Sequence, residues 1–294
     1  MSAAAVGVSS AAFGTAVLVL AAVAALWPRA GVGRLHASAA VVHGASAGVM
    51  VWQAAAADGA YLARVYTLQT RWLAADNSTC TDANTQQCRV HTRLGAGAEV
   101  NTFALLAAFF AWSAAWEAAY AARADGLARR DRWLYEYPVS AGLQFFVINV
   151  VMGNVNVWGA ALAACAVSQL QVLGWCIERE LAGRPVAGKA RDAGFLRAML
   201  AWGFSFLLAA WVPSLYHLGR AGSAPWFVWV ILVLSIVCYC LFGVVAALRA
   251  AGRWDAVGAE YAYTVLSYVS KGVVAWVYYG GGAMRQSAGL TSSA

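Results

Sequence analysis

The sequence predicts an all-α membrane protein, a bundle of seven membrane-spanning helices. Three observations carry this. Of 294 residues, 62% are hydrophobic and 11% charged, whereas an ordinary soluble domain carries about 25% charged residues. Apolar stretches near the length that a helix needs to cross a bilayer fall at 36–57, 99–121, 133–156, 158–177, 194–216, 226–248 and 258–280. Strong helix formers fill them, and each is closed by Gly, Pro or an arginine cluster. The short alternating segments that a β-barrel requires do not occur.

Ahead of these spans, Ala11–Trp27 is a shorter apolar stretch with no positive region before it and Arg29 and Arg34 behind it. Residues 1–35 are read as an extra helix, or as a cleaved or interfacial segment. Residues 36–280 form the seven-helix domain, and 281–294 are a tail. Between the first two spans lies a long polar segment, 58–98. It holds Cys80 and Cys88, which suggest a local disulfide, with two free thiols as the alternative. It also holds Asn77-Ser78-Thr79, a glycosylation acceptor pattern. Cys165, Cys176, Cys238 and Cys240 lie within helices and read as buried small hydrophobes.

The net charge of +7 does not mark a nucleic-acid binder, because the charges are placed by topology. Arg123, Arg129, Arg130 and Arg132 are assigned to one short loop. Arg179, Arg184, Lys189, Arg191 and Arg197 flank a second, and Arg249 with Arg253 a third. These alternate with loops poor in charge, so the positive-inside rule makes the rich loops cytoplasmic. The core then starts inside, and segment 58–98 and the C-terminus lie outside.

Only two of the 20 basic residues are lysines. Lys189 is in a polar loop, whereas Lys271 is in the middle of the last span. A cation at that depth costs about 2.5–3.5 kcal/mol on insertion scales. Arginine would serve as a fixed charge, but only a desolvated lysine amine condenses with an aldehyde. A covalently bound carbonyl chromophore is the expectation.

A buried cation needs an anion. Glu136, near the start of the third span, is the expected counterion, and Ser140 and Gln144 continue its polar face inward at i+4 and i+8. A capping carboxylate at the helix start is the plainer alternative. Ser267 stands one turn before Lys271 on the same face. Glu117 and His43 are also placed in buried positions, either as hydrogen-bonded packing groups or as proton sites of one cavity. Glu99, Glu260, His36 and His217 fall nearer span ends. Trp133, Trp226 and Trp254 read as an interfacial belt, while Trp175, Trp202, Trp211 and Trp276 are deeper.

Three stretches carry a family likeness. The run Glu260-Tyr261-Ala262-Tyr263-Thr264-Val265-Leu266-Ser267-Tyr268-Val269-Ser270-Lys271, continuing to Ala275-Trp276, resembles the retinal-binding helix of the heliorhodopsins. Glu136-Tyr137, followed at Ser140, resembles their counterion helix, and Leu173-Gly174-Trp175 fits their fourth helix. The likeness runs from about His36 to Gly280, and the inverted orientation is shared. The resemblance implies all-trans retinal on Lys271 as a protonated Schiff base with Glu136 as its counterion. It further implies Ser267 near the Schiff base, and Tyr137, Ser140, Gln144, Ser168, Gln171, Gly174 and Trp175 around the pigment. Glu117 stands where the family commonly has a histidine, His43 retains the partner histidine, and Pro138 is a further departure.

The expected function is therefore a light-sensing receptor without net ion pumping. Ordinary rhodopsins usually carry an aspartate where Ser267 stands, and pumps a second acid on the third helix, where this chain has Ser140 and Val147. The alternative is a light-gated or light-driven proton or ion conductor using Glu117 and Glu136. A seven-helix enzyme is disfavoured, because no nucleophile–base motif or metal-spaced cluster is present. The expected partners are membrane lipid, a second copy in a homodimer, and a signalling protein.

Overall fold

The computed structural model describes residues 31–56, 62–73, 89–123, 131–182, 192–220 and 224–281. The segment before residue 31, Asn77, Cys80, Cys88 and the tail from 282 lie outside the described residues. Within them the chain forms seven helices in sequence order and one two-stranded sheet.

Helix α1, Val32–Ala56, and α2, Thr102–Ala121, run antiparallel. His36 meets Glu117 and, seven residues on, His43 meets Phe110, seven residues back. Asn101 caps α2 by accepting a bond from the Ala104 amide at 3.0 Å, which satisfies one of the free first-turn donors. The span expected from residue 99 therefore starts three residues later.

The polar segment between α1 and α2 is more than a loop. Strand β1, Leu62–Leu73, pairs antiparallel with β2, Arg89–Asn101. β1 is dense in β-branched and aromatic residues (Val65, Tyr66, Thr67, Thr70, Trp72), which favour a pleated strand. A search for apolar length passes over it. The Tyr66 amide donates to the Val155 carbonyl at 2.7 Å, tying the sheet to the turn after the third helix.

That third helix, α3, opens with a wide turn, Arg132–Glu136, and continues as Tyr137–Val151. Its cause is Pro138. Proline has no N–H to offer the Leu134 carbonyl, and the Tyr137 amide reaches back five residues to the Arg132 carbonyl instead. Such one-turn expansions occur often at functional sites. The helix ends at Val151, short of the expected 156, because Gly153 takes φ +89 and turns the chain.

Helices α4 (Val157–Ala182), α5 (Ala193–Arg220) and α6 (Trp226–Ala250) follow. The last, α7, runs Ala256–Gly272, widens at Val273–Val277, which begins two residues after Lys271, and resumes to residue 281. α1 packs on both α2 and α7, and α3 on α2 and α4, which closes the bundle. Leu162, Trp202, Leu208 and Val233 face outward at 54–70% exposure, as helices apolar on all sides do when lipid surrounds them.

Among the described residues, five helices are long and apolar enough to cross a membrane. The two regular helices that fall short, 15 and 17 residues long, are the ones that adjoin wide turns; Glu136 stands directly before the first, and Lys271 near the end of the second. Some expectations are corrected. Trp133 is only 5% exposed and packs inside rather than in a belt, while Trp226 and Trp254 do lie on the outside. Cys165 is exposed on the outer face, not buried. Trp202 also points outward.

Candidate functional site

Lys271 is 3% exposed and Glu136 is fully buried. The lysine Nζ donates to Glu136 Oε1 at 3.1 Å and to the Ser113 hydroxyl of α2 at 2.7 Å. The ring of Tyr137 lies under the same ammonium, 5.3 Å from its centroid. The last three residues of this shell are supplied by neighbouring helices, so the cation is enclosed from more than one side. Gln144 donates to the Ser270 carbonyl at 2.9 Å, and Tyr137 Oη to the Tyr263 carbonyl at 3.2 Å. These two bonds pin α7 to α3 at two levels ahead of Lys271.

A small cavity opens at the Lys271 side chain, with Tyr137, Ser140, Gln144, Gln171 and Ser267 in its wall. The Ser140 and Ser267 hydroxyls are buried and have no hydrogen-bond partner among the described residues. Gln171, Tyr239 and Phe242 also line a second, apolar cavity between α4, α5 and α6. Gly174 lies flat on the Trp133 ring, where a Cβ would meet Cε3 at 2.4 Å. The amine, its carboxylate, the unpartnered hydroxyls and the adjoining apolar space fit a conjugated carbonyl compound.

Several expected members are placed otherwise. Ser168 donates to the carbonyls of Pro138 and Ala164, at 2.7 and 3.1 Å, and so fastens α4 to α3. Trp175 borders neither cavity; it packs on the Trp133–Tyr137 cluster, with Arg179 over its ring at 5.4 Å. Glu117 and His43 do not share the Lys271 cavity. Helical spacing explains this: Ser113 is level with Lys271, and Glu117 is one turn further toward the start of α1. His43 instead stacks on Tyr268 at 5.3 Å, and neither ring nitrogen has a hydrogen-bond partner among the described residues.

Glu117 joins a second polar cluster. Its carboxylate meets His36 Nδ1 and lies 3.4 Å from Arg132 Nη2. His36 Nε2 stands 3.2 Å from Glu260 Oε1. Arg132, which the loop assignment had placed at the surface, is fully buried. Its guanidinium contacts Glu260 at 3.1 Å and Glu136 at 3.6 Å, and donates to the Thr264 hydroxyl at 3.0 Å. Tyr137 separates the two cations, with Arg132 Cζ 5.4 Å from its ring. Sequence reasoning missed Ser113, Arg132, His36 and Glu260 as site residues. The signal was present in two of them, since each stands four residues before an acid, Glu117 or Glu136.

A seven-helix membrane bundle with one buried lysine, paired to a carboxylate and facing a cavity, defines the class of proteins that hold a carbonyl chromophore inside the bilayer. The family model described as Heliorhodopsin matches residues 32–283, and the chain belongs to the heliorhodopsin family. It is accordingly a multi-pass membrane photoreceptor with a retinal chromophore, not an enzyme. No curated protein matches the chain.

Proposed function

We propose that Lys271 holds all-trans retinal as a protonated Schiff base, with Glu136 as counterion, and that the chain senses light without transporting ions. The observation that carries this is the Lys271–Glu136 contact of 3.1 Å, made by a lysine that lines the cavity. Bound retinal supplies light absorption and isomerisation. The protein's part is to hold charge and exclude water. Glu136 balances the positive nitrogen, and Ser113 accepts a bond from it. Ser140 and Ser267 offer hydroxyls into the cavity, and Gln144 fixes the backbone of α7 beside the linkage. Movement of the nitrogen would strain α3 and α7, whose wide turns adjoin Glu136 and Lys271. Packed helices respond to such strain by switching between discrete arrangements.

The sensor reading is favoured over the conductor by what lies beyond Lys271. Toward the β-sheet end the bundle is filled by Phe103, Phe109, Phe145, Ile148 and Val274, all fully buried. Among the described residues, the buried ionisable groups chain together on the other side. We also infer that the start of α1 faces the cytoplasm, because Arg123, Arg179, Arg197, Arg249 and Arg253 all lie at that end, even with Arg132 removed from the tally. A homodimer and a signalling partner remain part of this reading.

Voltage-clamp recording of illuminated cells tests it. Flashes should give no sustained current, with or without Glu117→Gln. Sizeable currents that Glu117→Gln abolishes would overturn the sensor reading in favour of a conductor.

A further inference from the structure

Beside the Lys271–Glu136 pair sits a buried cluster whose charges do not balance as drawn. The cations are Arg132 and Lys271. The carboxylates are Glu117, Glu136 and Glu260, the first two fully buried and the third 6% exposed. With a neutral His36 the sum is one net negative charge in the interior, and burying an uncompensated charge costs several kcal/mol. His36 itself is fully buried. Its Nδ1 bonds Glu117, and its Nε2 lies 3.2 Å from Glu260 Oε1, within ion-pair range though off a straight hydrogen-bond line.

A neutral imidazole has one N–H and one lone pair. Set between two carboxylates, it would turn that lone pair toward one of them. A single additional proton removes both the repulsion and the net charge. It sits on the second ring nitrogen or on one of the two carboxyls, donating to the ring.

We propose that His36, Glu117 and Glu260 form a proton-binding site that holds one proton in the dark, separate from the proton on Lys271. Every element around it contributes to its field. α1 supplies His36. α2 supplies Glu117 and Tyr120, whose ring meets His36 edge-on at 5.4 Å. α3 supplies Arg132, Glu136 and Tyr137, and α7 supplies Glu260 with the Thr264 hydroxyl. Arg123, paired with Asp131, closes the outer side over Tyr120. Arg132 is the link between the two sites, since it touches Glu117, Glu260 and Glu136. Glu260 has the exposure through which the proton exchanges, at the end of the bundle where α1 and α7 begin.

The inference rests on a positive charge at Lys271, which ammonium and iminium both provide. The test is nitrogen NMR of the histidine rings, assigned with His36→Gln, and infrared detection of protonated carboxyls in pigment-loaded protein in lipid at neutral pH. Wild type should show His36 protonated on both nitrogens, or one carboxylic acid that disappears in Glu117→Gln or Glu260→Gln. Each of those variants removes one negative charge and should leave His36 neutral with no acid band. A wild type with neutral His36 and no carboxylic acid overturns the site, as does an extra proton that survives both substitutions. The wild-type spectra decide even if a variant does not fold. Colour reports the Lys271 reading separately: a coloured sample without the extra proton refutes this site alone. In a colourless sample the same count still applies to the lysine ammonium.

Discussion

The side-chain amine of Lys271 stands closer to the hydroxyl of Ser113, at 2.7 Å, than to the carboxylate of Glu136, at 3.1 Å. The hydroxyl arrives from α2 and the carboxylate from α3, so the nitrogen is held by two helices that bear no sequence relation to its own. A hydrogen bond involving a charged group contributes roughly 1.5–3 kcal/mol. Ser113→Ala should therefore move the visible absorption band, with the protein still folded, and Ser113→Thr should restore it. Spectra of the two variants check this.

Glu136→Gln is expected to shift absorption to the red by more than Ser113→Ala does. The carboxylate draws positive charge to the nitrogen in the ground state, and without it the charge spreads along the polyene. Glu136→Asp should fall between the two. An unshifted Glu136→Gln spectrum would remove Glu136 from the counterion role.

Arg132→Met strands the carboxylates of Glu117, Glu136 and Glu260 that its guanidinium contacts. Removing one partner of a buried ion pair costs about 3–5 kcal/mol. The melting temperature should fall sharply. Arg132→Met with Glu117→Gln removes one charge of each sign and should recover part of the loss. Thermal melts of the single and double variants compare the two.

Gly174→Val would drive side-chain carbon into the Trp133 ring, which already leaves only 2.4 Å for a Cβ. Overpacking of this kind costs about 1–3 kcal/mol. Pigment yield and melting temperature should both drop, and Trp133→Leu in the same chain should restore them.

Much of the site was legible because membrane burial makes ionisable residues conspicuous. Lys271, Glu136, Ser140, Gln144 and Ser267 follow from depth and helical spacing; in the structure Lys271, Ser140, Gln144 and Ser267 line one cavity and Glu136 meets the lysine amine. Arg132 was misread because it follows Arg129 and Arg130 closely in the sequence, and its charge outweighed its i,i+4 relation to Glu136. Glu117 was placed on the right helix but given the wrong partners. Which residue of α1 it meets depends on the antiparallel offset of α1 against α2, and one sequence does not reveal that offset. The β-hairpin escaped notice because apolar length is the wrong ruler for a polar strand pair. The wide turns at Pro138 and after Lys271 shorten the two functional helices, yet hydropathy alone still counts seven spans.

The most direct measurement of the central claim is reconstitution with all-trans retinal, followed by borohydride reduction and mapping of the modified residue. The account predicts a visible band in wild type, a single adduct on Lys271, and a colourless Lys271→Ala. A wild type that stays colourless, or a Lys271→Ala protein that still carries covalent pigment, would contradict it.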